Sequence, residues 1–151
     1  MKNKFVIPIF TLGVLALMWI YFLINPSYQK SIEAKYYYET GSYKEAYILA
    51  NEAFSIDVYN RMASTIMAQS KTSLRYVAYI NDAKKYMKEI DAIAKHDILS
   101  DADKAKMKVI SEIMIDSYIK LAPSVITDNS LVEESASYYK NFEKLLEKVN
   151  R

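Results

Sequence analysis

An all-α domain behind one N-terminal transmembrane helix is the fold class this sequence predicts, and three observations predict it. Residues Phe5 to Ile24 carry no charge. The 151-residue chain holds only 2 Gly and 3 Pro, too few for the tight turns of a sheet protein and suited to helices on short connections. Hydrophobic residues make up 52% of it and recur after the anchor at spacings of three and four, the period of helices with one buried face. About 125 residues remain beyond the anchor, room for one modest core.

The first element reads FVIPIFTLGVLALMWIYFLI, and at 1.5 Å per residue it matches a hydrocarbon core of roughly 30 Å. Pro8 falls in the first turn, where a missing N–H costs little. Trp19, Tyr21 and Phe22 crowd the other end, where amphipathic rings favour the headgroup level, and Asn25-Pro26 stops the helix. A cleaved signal peptide would have a shorter apolar stretch followed by small residues, and a buried core helix is the other alternative; a retained anchor fits better than either. Lys2 and Lys4 precede the span and no Lys or Arg follows it until Lys30. By the positive-inside rule residues 1–4 are a cytoplasmic tail and the domain lies outside. Plentiful Lys, Ile, Asn and Tyr suit a bacterial origin, so the expected location is the inner (cytoplasmic) membrane, with the domain in the periplasm of a Gram-negative cell and on the exterior of a Gram-positive one as the alternative.

The same two lysines account for the net charge of +2: without them 18 basic side chains face 18 acidic ones. A neutral domain with no basic stripe has no general pull on phosphate backbones, and nucleic acid is not expected as a partner. The absence of cysteine rules out disulfides, thiolate metal sites, a cysteine nucleophile and a lipidated cysteine.

From residue 34 the chain runs AKYYYETGSYKEAYILANEAFSID. Ala46, Ala50 and Ala53 share one helix face and admit a partner backbone, while Tyr37 and Tyr43 fill gaps. With Ala34, Tyr37, Gly41, Tyr43, Ala46 and Ala53 at these relative places, the stretch Ser27 to Asn60 resembles the tetratricopeptide repeat family, whose repeat of about 34 residues is an antiparallel helix pair. Gly41 would make its turn. Lys30 and Glu33 stand where the family has large apolar residues, and Val58 where it has the closing proline. One repeat length on, Met67-Ala68 falls over Glu33-Ala34, which sets a second helix pair over residues 61–95 with a turn near Thr72 to Arg75; neither the Gly nor the Tyr recurs there. The resemblance implies a domain of about six helices in antiparallel hairpins that binds protein or peptide.

Further along, Val77, Ile80, Ala83, Met87, Ile90 and Ala94 mark one apolar face. Ser100 caps a helix over 100–122, with Asp103 three residues on, Ile110, Met114, Tyr118 and Leu121 inward, and Pro123 at its end. The last helix, 130–150, places Val132, Tyr139 and Leu146 seven apart, with Ser135, Phe142 and Val149 in the companion series. Leu131, Tyr138 and Leu145 widen this stripe, which favours packing on the preceding helices over a partner-facing coil.

Chemistry-bearing constellations are sparse. His96, the only histidine, adjoins Asp97, but it falls just past a helix end, where the dipole favours an imidazolium; catalysis there is the least favoured reading. Asp101/Asp103 and Glu133/Glu134 sit at helix starts, where carboxylates are stabilised. No Gly-rich phosphate loop is present, and no cofactor or metal is expected. Tyrosine does stand out, with 14 in the chain and three in a row at 36–38. Three neighbours on a helix cannot share a face, so if Tyr37 packs inward, Tyr36 and Tyr38 point elsewhere. Tyr36, Tyr38, Tyr47 and Tyr59 are the candidate protein-interface residues, tyrosine being favoured at interfaces. The expected function is a non-catalytic adaptor or scaffold in a larger envelope assembly such as a flagellar or secretion machine; a membrane-tethered chaperone for exported chains is the alternative. Self-association is left open.

Overall fold

A computed structural model describes residues 6–95, 98–123 and 126–150. Among these described residues lie six helices, α1 (Val6–Ile24), α2 (Pro26–Glu39), α3 (Tyr43–Ile56), α4 (Arg61–Ile93), α5 (Asp101–Ile119) and α6 (Asn129–Val149). No strand occurs among the described residues. The chain divides into two compact units, Met1–Ser70 and Lys71–Arg151, and α4 contributes to both.

In the first unit, every described side chain of α1 from Ile7 to Ile24 is exposed. The span Ile7–Ile24 is long and apolar enough to cross a membrane, and none of it is covered by protein, which a core helix would be. Asn25 accounts for the break that follows. Its N–H still donates to the Tyr21 carbonyl at 3.1 Å, its side chain accepts from the Ser27 N–H at 3.0 Å, and Pro26 supplies the first residue of α2, where a missing N–H leaves nothing unsatisfied. A single capping residue thus joins α1 to the domain. Across the junction Phe22 meets Tyr28 edge to face, ring centroids 4.7 Å apart.

Helices α2 and α3 approach closely because small residues line both. Ser27, Ser31 and Ala34 from α2 and Ala46, Ala50 and Ala53 from α3 are all fully buried, at spacings of three and four that stack on one face. The pair is antiparallel: Ser27 Oγ, at the start of α2, donates to the Ala53 carbonyl near the end of α3 at 2.8 Å, and Lys30 pairs with Glu52 at 2.6 Å. The turn between them is made by Gly41 at φ 82°. The Gly41 N–H donates to the Tyr38 carbonyl and the Ser42 N–H to the Tyr37 carbonyl, the two bonds of a Schellman motif, whose left-handed residue is favoured as glycine. Ile66 from α4 completes this small core, with Tyr37, Tyr38, Leu49 and Met67 packed around it.

The turn expected near Thr72 to Arg75 is not present. Helix α4 runs unbroken for 33 residues, so residues 61–95 hold one long helix and not a second helix pair. The stretch 61–93 contains neither Gly nor Pro, and without a breaker the i to i−4 ladder continues through Thr72-Ser73.

The second unit contains α4 from Lys71 onward, α5 and α6. Helices α4 and α5 are antiparallel, tied at one end by Arg75 Nη2 donating to the Lys120 carbonyl at 2.8 Å and at the other by Lys106 and Glu89 at 2.6 Å. The start of α5 is fixed by a full capping box, in which Ser100 Oγ accepts from the Asp103 N–H and Asp103 accepts from the Ser100 N–H. Helix α5 ends at Ile119, short of Pro123, at the point where Arg75 takes up the Lys120 carbonyl. Tyr79, Ile80, Ala83, Ile90, Ile93, Met107, Ile110, Met114 and Phe142 form the core. Ile93, the last residue of α4, is buried, whereas Ala94, expected inward, is exposed beyond the helix end. The α6 stripe packs on this core through Leu131, Tyr138, Leu145 and Val149 around Phe142.

Candidate functional site

The four candidate interface tyrosines divide into two kinds. Tyr36 is 64% exposed and Tyr59 is 88% exposed. Tyr38 and Tyr47 are half-buried; Tyr38 lies against the α2–α3 core and meets Tyr43 edge to face at 5.5 Å. The register of α2 explains the split. With Ala34 buried on the α3 side, Tyr37 and Tyr38 follow it at three and four residues and lean on that face, and Tyr36 is turned out.

The two exposed rings do not share a patch. Tyr36 sits near the Gly41 turn, and Tyr59 lies in the α3–α4 connection, whose next residue, Asn60, bonds Ser27 at the opposite end of α2. Nine residues of helix separate Ser27 from Tyr36, about 14 Å along the axis. Ile32, one helical turn before Tyr36, is 59% exposed, so α2 presents an apolar pair at i and i+4. The residues read as repeat-packing lie inside: Ala34, Ala46 and Ala53 are fully buried, Tyr43 is buried, Tyr37 is half-buried, and Gly41 forms the turn.

A polar cluster fastens the α3–α4 connection to the start of α2. Asn60 is fully buried; its Nδ2 donates to both Ser27 Oγ and Ser31 Oγ at 2.8 Å, and its Oδ1 accepts from the Ala63 N–H at 3.1 Å, capping α4. Ser31 Oγ donates in turn to the Ser27 carbonyl at 2.8 Å. Asn60 is thus the only side chain among the described residues shown bonding to two hydroxyls of α2 while capping a third helix, and its role was hidden from sequence reasoning by a separation of 33 residues.

Other tyrosines are internal. Tyr76 and Tyr79 are buried, and Tyr79, Tyr118 and Tyr139 form a run of rings with centroids 5.8 and 4.4 Å apart. Tyr139 donates to Glu143 at 2.6 Å. The hydroxyl of Tyr79 is buried with no hydrogen-bond partner among the described residues. Burial, and then the proximity of Tyr118 and Tyr139, push its ionisation well above the ordinary phenol value of 10.0. Because the folded state holds this proton more tightly, its contribution is fully present below pH about 10 and is lost as the pH rises past that value and the unfolded chain ionises. Tyr79→Phe is expected to leave stability at pH 7 unchanged or raise it by up to about 1 kcal/mol, since an unpartnered buried hydroxyl is removed. Denaturant melts at pH 7 and pH 11 should show a smaller alkaline loss for the variant than for the wild type.

Two open grooves run between α4 and α5. One, about 310 Å³, is lined by Arg75, Tyr79, Asp82, Ser117, Lys120 and Leu121 among others; its cations are engaged, Arg75 by the Lys120 carbonyl and Lys120 by Asp116. The other, about 460 Å³, is mostly apolar, with Tyr86, Val109 and Ile113 beside the Glu89 and Lys106 pair. Among the described residues no three His, Cys, Asp or Glu side chains are arranged to hold a metal ion. His96 and Asp97, like Lys2 and Lys4, lie outside the described residues. Comparison with known protein families, curated proteins and solved structures gave no match.

Proposed function

We propose that this chain is a single-pass membrane protein whose helical domain acts as a non-catalytic protein-interaction subunit, docked in a larger assembly of the bacterial envelope. The observation that carries the proposal is α1, an uncharged helix long enough to span a bilayer, bare of protein cover and joined to the domain by the single residue Asn25. A helix apolar all round is stable in lipid or inside protein, and none of the described residues of the chain encloses this one. Lys2 and Lys4 set the amino terminus in the cytoplasm and the domain in the periplasm. The glycine turn and small-residue seam of α2 and α3 are in keeping with a divergent tetratricopeptide repeat, and the exposed pair Ile32 and Tyr36 on α2 is the surface offered to a partner protein.

A photo-crosslinking residue placed at Tyr36 in the full-length chain, expressed in cells, should yield a few discrete adducts. They should disappear when Ile32→Asp is added at unchanged protein level. A diffuse ladder of many clients would indicate a chaperone, and no adduct above that from exposed Lys44 would remove this face from the proposal.

A further inference from the structure

The antiparallel α2–α3 pair returns the chain to the end of α1, and what it brings back is apolar and exposed. Ile56 ends α3 50% exposed, the connection after it carries Val58 and Tyr59, exposed at 59% and 88%, and Met62 follows near the start of α4, 37% exposed. The position of the connection is fixed by Asn60, which donates to Ser27 Oγ at 2.8 Å. Ser27 is three residues past Ile24, the last residue of α1, so their Cα atoms are at most about 11 Å apart. Within the connection the Tyr59 N–H donates to the Asp57 carboxylate at 2.9 Å, which shapes the backbone and leaves the ring outward. The packing of the domain gives no reason for four exposed apolar side chains at this end.

We infer that the segment from Ile56 to Met62, the α3–α4 connection with the helix ends that flank it, is a second membrane contact, seating Val58 and the Tyr59 ring in the headgroup and acyl boundary beside the exit of α1. The inference rests on the reading of α1 as a membrane span. The occupant is lipid because the patch adjoins the end of an apolar helix, where Trp19, Tyr21 and Phe22 already form an aromatic girdle of the kind that sits at this depth. A tyrosine offers it an apolar body and a polar tip. The fixed charges at the connection, Asp57 and Arg61, cancel, so zwitterionic lipid suffices. Anchored both by α1 and by this connection, the α2–α3 pair is held at a set angle to the bilayer and presents its far end, with Tyr36, away from it.

The test uses the full-length chain in phosphatidylcholine vesicles with plain or brominated acyl chains. Trp19 is the only tryptophan, so the wild type reports on α1. In a Trp19→Phe background, Tyr59→Trp reports on the connection and Tyr36→Trp on the far end of α2. Both positions are exposed, so the indole is accommodated without repacking. Emission from Tyr59→Trp should be roughly halved by brominated lipid, as for a ring seated about 5–10 Å into the boundary, while Tyr36→Trp is unaffected. Quenching of Trp19 with none at Tyr59→Trp overturns the inference and leaves the anchor standing. No quenching of Trp19 overturns both. Equal quenching at Tyr36→Trp and Tyr59→Trp overturns it too, since the domain would then lie flat on the membrane.

Discussion

Phe142→Ala should destabilise the second unit by about 3–5 kcal/mol, the range for emptying a phenylalanine site in a packed core. Phe142 is enclosed by protein, with no accessible surface, and it is the one residue of α6 among the buried members of a core otherwise built from α4 and α5. Truncation therefore removes the main apolar link between α6 and the other two helices. The nearest replacements for the lost contacts, Tyr138 and Leu145, are half-buried and already packed against the cluster, so little of the void can be refilled. Phe142→Leu keeps most of the volume and should cost about 1–2 kcal/mol. Urea titrations of the detergent-solubilised chain followed by circular dichroism measure both, and a loss below about 1 kcal/mol for the alanine variant would show that α6 is not held by this contact.

Asn60→Ala is expected to lower the stability of the first unit by about 2–3 kcal/mol. Losing the cap on α4 accounts for about 1 kcal/mol. The two bonds from Nδ2 to Ser27 and Ser31 contribute about 1 kcal/mol each, because all three residues are buried and water cannot replace the amide without opening the seam. Ser31→Ala removes only one of these contacts together with a hydroxyl bond inside α2, and should cost about 1 kcal/mol. If the two variants melted alike, the cluster would not be cooperative in the way its geometry implies.

Local features of this fold were legible in the sequence and long-range ones were not. The uncharged run that forms α1 from Val6 to Ile24, the Asn25-Pro26 break, Gly41 at a turn and Ser100 three residues before Asp103 each act through their nearest neighbours, and each appears in the structure where its chemistry requires. The turn near Thr72 came from laying one repeat length over the next, with no residue there able to break a helix, and α4 runs through it. Ser27 and Ser31 look like ordinary polar positions on α2; their burial depends on Asn60, 33 and 29 residues away. Tyrosine was ambiguous for the same reason. An amphipathic ring suits a core as well as a surface, and only tertiary packing separates Tyr76 and Tyr79, which are buried, from Tyr36 and Tyr59, which are not.

Everything proposed for function depends on α1 remaining attached and embedded. Membranes from cells expressing the full chain, washed in alkaline carbonate and then analysed by intact mass, test this most directly. The protein should stay with the membrane and retain residues 1–24, at a mass near 17.5 kDa. Release into the wash, or a mature chain beginning after Ile24, would mean that α1 is not a retained membrane anchor.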